Sequence, residues 1–167
     1  VQLGFQEQKP QRLDKARRGH FAKGEVAPKR FLREVRVDDN EDISVGSTID
    51  AGVFDGVEYV DVTGATKGRG FQGVVKRYNM GGGRATHGGK STLRSPGSIG
   101  MCEKPARVFK GKKMPGQMGH TTVTVQNLKL VAVRTEDNAL LVEGAVPGPN
   151  GGLIMVRKAL KKAATSS

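Results

Sequence analysis

Apolar residues along this chain gather in short, β-branched stretches separated by Gly, Pro and acidic turns. Val57-Glu58-Tyr59-Val60-Asp61-Val62 is one such stretch, and Thr122-Val123-Thr124-Val125 alternates at a period of two. Leu128 to Val133 and Leu140 to Val146 bracket the polar run Thr135-Glu136-Asp137-Asn138, which predicts a hairpin. Pro147 to Gly152 makes a further turn before Leu153-Ile154-Met155-Val156, and Phe31 to Val37 is another candidate strand. The acidic loop Asp38-Asp39-Asn40-Glu41-Asp42 follows it. Short strands at this spacing predict a small barrel or sandwich. The basic, Ala-rich tail from Arg157 to Ser167 reads as a frayed helical turn or a disordered end.

Between Gly64 and Gly119 the pattern disappears. Gly81-Gly82-Gly83 and Gly88-Gly89 break helices, and Pro96, Pro105 and Pro115 interrupt strand ladders. A structureless stretch this long inside a compact domain is generally functional or disordered. The chain therefore divides into a β portion, 1–63 with 120–167, and an irregular insertion, 64–119.

Charge sharpens that division. The insertion holds twelve Lys and Arg against one acid, Glu103, so it carries +11 of the formal +12, and it holds 14 of the 24 glycines. So many cations either lie in water or are ordered by a polyanion, because unpaired charge is not packed into protein. Phe71, Tyr78, Phe109 and several Met interleave with the cations, which favours the polyanion. Phosphate contacts are expected at Lys67, Arg69, Lys76, Arg77, Arg84, Lys90, Arg94, Arg107, Lys110, Lys112 and Lys113. His87 reads either as an RNA-stacking or phosphate-bonding group or as a solvent-exposed loop residue. Phe71 and Phe109 either stack on bases or anchor the root of the insertion to the β core.

Overall composition agrees. An apolar share of 36% and an aromatic share of 5% are too lean for one core to organise all 167 residues. The lone Cys102 excludes an internal disulfide framework, and His20, His87 and His120 are too scattered for a metal site. No apolar run has the length of a membrane span, and the N-terminus has no signal-peptide core. Val1 stands where an initiator Met would, which suggests residues upstream. No cofactor and no small-molecule substrate are expected.

Two motifs imitate nucleotide sites. Gly68-Arg69-Gly70-Phe71-Gln72-Gly73 fits the dinucleotide pattern, yet Val74 to Tyr78 runs into three glycines instead of a helix, and no acid lies about 20 residues on to hold a ribose. Gly89-Lys90-Ser91 looks like the end of a P-loop, but Arg84 stands where its first Gly belongs. A triad of Ser91, His87 and Asp61 can be drawn on paper but lacks a strand-to-helix elbow. Two rivals remain: a barrel enzyme using the Gly68–Gly73 loop, and a basic module for any polyanion such as DNA or sulfated polysaccharide.

Spacing within the insertion separates these. Phe54, Asp61, Gly64, Thr66, Gly68-Arg69-Gly70, Gly73 and Arg77 resemble the signature of the large-subunit ribosomal protein L three family, bacterial in type. So do His87-Gly88, Ser95 to Gly100, Val108 to Gly119, Gly19-His20-Phe21-Ala22-Lys23 and Gly144 to Gly148, and the likeness covers nearly the whole chain. The resemblance implies a non-enzymatic constituent of the large subunit, in the cytoplasm or an organelle. It implies a translation-protein-type β-barrel carrying a long basic extension into the large-subunit (23S-type) rRNA. It further implies early rRNA binding that nucleates assembly, beside large-subunit proteins fourteen and nineteen. Tyr78, Asn79 and Met80 would lie at the extension tip, near the peptidyl-transferase centre. The family's opening strands precede the part matched by Val1, so the barrel is expected to be incomplete here. Some relatives carry a methylatable Gln just before the Ala-Thr-His stretch; this chain has Gly83 there, and no such modification is inferred.

Overall fold

A computed structural model describes residues 1–37, 43–89 and 91–162; the acidic loop, Lys90 and the last five residues lie outside the described residues. The chain forms two compact units, Val1–Val53 and Phe54–Ser167.

In the first unit, β1 (Gln2–Glu7) pairs antiparallel with β2 (Lys29–Glu34), placing Phe5 opposite Phe31. The ladder skips Gln6, which has a φ of 59°, and resumes in the same register with Glu7 opposite Lys29. A 3-10 turn at Pro10–Arg12 leads into α1 (Lys15–Lys23). Asp14, extended, takes the N-cap position, and Gly24 ends the helix. Of the nine helical residues only Phe21 is buried; Leu13 and Ala51 are the other buried apolar groups of this unit. The expected strand at Phe31 to Val37 is β2, which starts at Lys29 and stops at Glu34.

The second unit is built on a four-stranded antiparallel sheet in the order β7-β6-β3-β8. Its strands are β3 (Tyr59–Ala65), β6 (Thr122–Arg134), β7 (Ala139–Glu143) and β8 (Ile154–Lys158). Alternation along β3 sends Val60 and Val62 into the core, where both are fully buried with Leu130. Phe54, Leu128, Leu140, Val142 and Val156 pack around them. Burying each of these Val side chains contributes about 1.5–3 kcal/mol. The two stretches expected at Thr122 to Val125 and Leu128 to Val133 are one strand, β6. The hairpin at Thr135 to Asn138 forms as expected, with Asn138 in the left-handed region (φ 48°).

Asp61 points to the opposite side of β3 from Val60 and Val62, yet it is 1% exposed. A bulge accommodates it: Val60 pairs with Leu128 and Val62 with Val125, so Gln126 and Asn127 together oppose Asp61. Asn127 takes φ 57° and donates its N–H to Asp61 Oδ1 at 2.9 Å. Leu160 N–H lies 3.5 Å from Oδ2 and Arg157 Nη2 lies 3.6 Å from it. A buried carboxylate is tolerable because donors replace water around it. Asp61 thus ties β3 to β6 and to the end of β8.

The chain is mainly β with open antiparallel sheets, and among the described residues no sheet closes into a barrel. The expected frayed or disordered tail, Arg157 to Ser167, differs over its first three residues, while its last five lie outside the described residues. Arg157 and Lys158 belong to β8, Ala159 is buried, and its N–H donates to Tyr59 O at 3.0 Å. Pairing with the central strand holds this segment in place, whatever its composition suggests in isolation.

Candidate nucleic-acid interface

Both ends of the basic segment leave the sheet as a ladder. Past β3 and β6, Thr66 N–H donates to Thr121 O at 2.9 Å and His120 N–H donates to Thr66 O at 3.2 Å. Arg69 N–H then donates to Met118 O at 2.9 Å, and β4 (Gly70–Gln72) pairs antiparallel with β5 (Gly116–Met118). Gly119 is required where the strands approach: it has φ +71°, and a Cβ there would collide with Lys67 O.

A short helix, α2 (Val74–Tyr78), follows β4, with Val74 buried at 1% exposure. The glycine run was expected to prevent a helix here. One forms over five residues, because Asn79 takes the left-handed conformation (φ 56°) and ends it before the glycines begin. Arg77 on α2 donates from Nη1 to Met114 O at 2.8 Å, linking the two legs. Its guanidinium sits 5.0 Å from the Tyr78 ring centre, and Lys113 Nζ sits 5.7 Å from the same ring. Tyr78 is therefore clasped between cations from both legs.

Beyond this clasp the described residues form turns without strands or helices. Gly83 N–H donates to Leu93 O at 3.1 Å, closing one loop. Gly82, at φ +75°, packs so closely that a Cβ would strike Leu93 O.

The cations themselves are presented outward. Lys67, Arg69, Lys76, Arg84, His87, Arg94, Arg107, Lys110, Lys112 and Lys113 are exposed, Arg77 is half-buried, and Lys90 lies outside the described residues. Asn79 is exposed, while Tyr78 and Met80 are half-buried. Among the described residues the only ion pairs are Arg17 with Asp14 and Arg157 with Asp61. No carboxylate there neutralises a cation of the insertion. Phe71 is 74% exposed and Phe109 is 50% exposed, with Arg107 5.2 Å from the Phe109 ring centre. Neither phenylalanine belongs to the core cluster of the sheet.

The catalytic alternatives fail on geometry. In the Gly68–Gly73 loop the backbone is paired with the opposite leg through Arg69 and β4, so it does not form a phosphate cradle. Asp61 is buried in the sheet with its oxygens facing Asn127, Leu160 and Arg157, while His87 is exposed. Among the described residues no three His, Cys, Asp or Glu come together as metal ligands, and no helix is long and apolar enough to cross a membrane.

Sequence reading missed β1, α1 and the role of Asp61. Leu3 and Phe5 at alternate positions were the signal for β1, but a lone buried Phe21 gives α1 no helical periodicity.

What the geometry defines is a β-sheet bearing a laddered stem whose far part is cationic and exposed and, among the described residues, has no carboxylate partner. Comparison with known proteins makes the class specific. The family model described as Ribosomal protein L3 matches residues 34–140. The chain is 52% identical over 162 residues to the large ribosomal subunit protein uL3 of Magnetococcus marinus, covering 97% of this chain and 76% of that protein. It is 51% identical over 163 residues to that of Streptomyces avermitilis, with 98% and 76% covered. Against the uL3 of Acidothermus cellulolyticus it is 50% identical over 161 residues, with 96% and 72% covered. The chain belongs to the ribosomal protein L3 family, whose members are ribosomal components and not enzymes.

Proposed function

We propose that this protein is a structural constituent of the large ribosomal subunit, binding its 23S-type rRNA and helping to nucleate assembly. The β portion, 1–63 with 120–167, would form the family's barrel at the subunit surface, and 64–119 would enter the RNA. One observation carries the reading: ten charged or polar candidate side chains of the insertion are exposed, and none meets a carboxylate among the described residues. Arg forms paired bonds to phosphate and Lys supplies mobile charge, so together they relieve the repulsion that resists RNA compaction. Gly82 and Gly119 supply the close backbone approaches that keep the segment thin. The exposed Phe71 and Phe109 are suited to base stacking, worth about 1–3 kcal/mol per base.

Tyr78, Asn79 and Met80 are proposed as the tip beside the peptidyl-transferase centre, where exposed Asn79 would hold rRNA bases in position. Proteins fourteen and nineteen of the large subunit are the proposed neighbours, in the cytoplasmic ribosome. The test is a salt titration of rRNA binding. With about six phosphate contacts, log K falls against log salt at a slope of roughly −4 to −5. Replacing Lys110, Lys112 and Lys113 together with Gln flattens that slope by about 2 and slows subunit assembly. Asn79→Ala leaves assembly nearly intact and perturbs peptidyl transfer. A slope near zero in the unaltered protein, or normal assembly by the triple variant with assembly blocked by Asn79→Ala, refutes the reading.

A further inference from the structure

The connection between β7 and β8 carries two residues that the sheet and the stem leave unused. Of the five asparagines only Asn150 is followed by glycine; Glu41, Met80, Leu128 and Ala139 follow the others. Asn150 and Gly151 form the tip of a turn, and both are exposed.

The ends of this turn are pinned. On one side Pro147 and Gly148 lie against the end of β3: a Cβ at Gly64 would fall 2.8 Å from Pro147 O, and a Cβ at Gly148 would fall 2.7 Å from Ala65 O. On the other side Ile154 pairs with Gly64. Between these anchors the tip stands in water, spanned by one hydrogen bond from Gly152 N–H to Pro149 O at 3.1 Å. Gly151 has φ +72°, a value that favours glycine in the turn, and a Cβ there would meet nothing within 4 Å. Among the described residues the Gly151 N–H donates to no acceptor, and the Asn150 side chain has no hydrogen-bond partner.

These are the conditions under which an asparagine side chain loses its amide. Asparagine is thermolabile because the backbone nitrogen of the next residue closes a five-membered ring onto its Cγ. A hydrogen bond held by that nitrogen, or a side chain beside it, opposes the approach. Neither stands in the way at Asn150, whereas Met80, Leu128 and Ala139 each put a side chain beside the nitrogen that would attack Asn79, Asn127 or Asn138.

We propose that Asn150 is a site of spontaneous deamidation and isoaspartate formation in the folded protein. The Gly151 nitrogen attacks Asn150 Cγ, the Cγ–Nδ2 bond breaks, and Nδ2 departs as ammonia with the Gly151 amide proton. Water then adds to one carbonyl of the resulting succinimide and splits one of its two ring C–N bonds at Gly151. Opening at Cγ leaves aspartate with the backbone restored. Opening at the main-chain carbonyl leaves isoaspartate, whose side-chain carbonyl now carries the chain onward. Either product places a new carboxylate at the tip, and water is the only co-reactant. Isoaspartate also lengthens the main chain by one carbon, close to where the turn packs on β3. The chemistry is independent of RNA.

To test this, the folded full chain is aged in warm neutral buffer beside the same chain unfolded in urea and beside Asn150→Gln, whose longer side chain closes a six-membered ring far less readily. Trypsin releases the fragment 135–157, which carries both Asn138 and Asn150, so the site and its control travel together. Tandem mass spectrometry locates the new acid, and a labelled methyl group transferred by an isoaspartate methyltransferase counts the isoaspartate in that fragment. In the folded chain Asn150 is expected to convert at least tenfold faster than Asn138, an order-of-magnitude figure for replacing a Cβ by hydrogen of about that size. Its rate is expected to lie within about threefold of the rate in urea, because an exposed loop tip opens at almost no free-energy cost. Asn150→Gln should remove the methylated form of the fragment. Folding that slows Asn150 beyond that margin would mean that the turn shields it, and overturns the proposal. Equal conversion at Asn138, or isoaspartate that persists in the fragment from Asn150→Gln, overturns it too.

Discussion

Replacing Asp61 by Ala tests whether one buried carboxylate fastens the central sheet. The bond from Asn127 N–H at 2.9 Å has a charged acceptor and is nine-tenths or more buried at the acceptor, so it is worth about 1.5–3 kcal/mol. Leu160 N–H at 3.5 Å is at the limit of a hydrogen bond. Arg157 is 47% exposed at 3.6 Å, so solvent screening holds its share below about 1 kcal/mol. Asp61→Ala should therefore cost about 3 kcal/mol, mostly by stranding the Asn127 amide. At about 2–4 °C per kcal/mol for a chain of this size, the melting midpoint falls by roughly 6–12 °C. Asp61→Asn keeps one acceptor for Asn127 but turns an N–H₂ group toward Leu160 or Arg157, and should cost about half as much. Arg157→Gln should cost under about 1 kcal/mol. Thermal unfolding followed by circular dichroism on the full chain measures all three. An Asp61→Ala midpoint within about 2 °C of the unaltered protein, or an Arg157→Gln loss as large as that of Asp61→Ala, refutes the assignment.

Two further predictions concern the stem. Gly119→Ala should destabilise the chain by about 2 kcal/mol or more, since φ +71° is strained for Ala and the new Cβ strikes Lys67 O; unchanged stability would show that the legs do not meet there. Arg77→Lys keeps the charge but loses the planar donor that reaches Met114 O, so amide exchange at Gly116–Met118 should accelerate while the salt slope for RNA stays the same. Slow exchange retained in that variant would remove the clasp from the account.

Much of the sheet was legible because its strands carry their own signals. Val60 and Val62 alternate with Asp61, and Thr135 to Asn138 supplies turn chemistry at the one place where the chain reverses between β6 and β7. Boundaries moved where tertiary contacts decide them: β6 runs unbroken through Gln126 and Asn127 because a bulge absorbs the extra residue against β3. In α2, local glycine content misled, since only the conformation of Asn79 shows that the helix stops short of the glycines. In the segment 64–119 charge was readable residue by residue; of the twelve candidate residues ten are exposed, Arg77 is half-buried and Lys90 lies outside the described residues. The pairing of Arg77 with Met114 and of Lys113 with Tyr78 was not readable, because those partners are more than thirty residues apart.

Sedimentation with ribosomal particles tests the central claim most directly. Tagged protein expressed in a bacterial cell, its extract resolved on a sucrose gradient, is predicted to migrate with the large subunit and with whole ribosomes, and to be released only by high salt. The Lys110, Lys112 and Lys113 variant should shift toward the top of the gradient. Unaltered protein that stays at the top, or that distributes equally over every polyanion in the extract, would contradict the account.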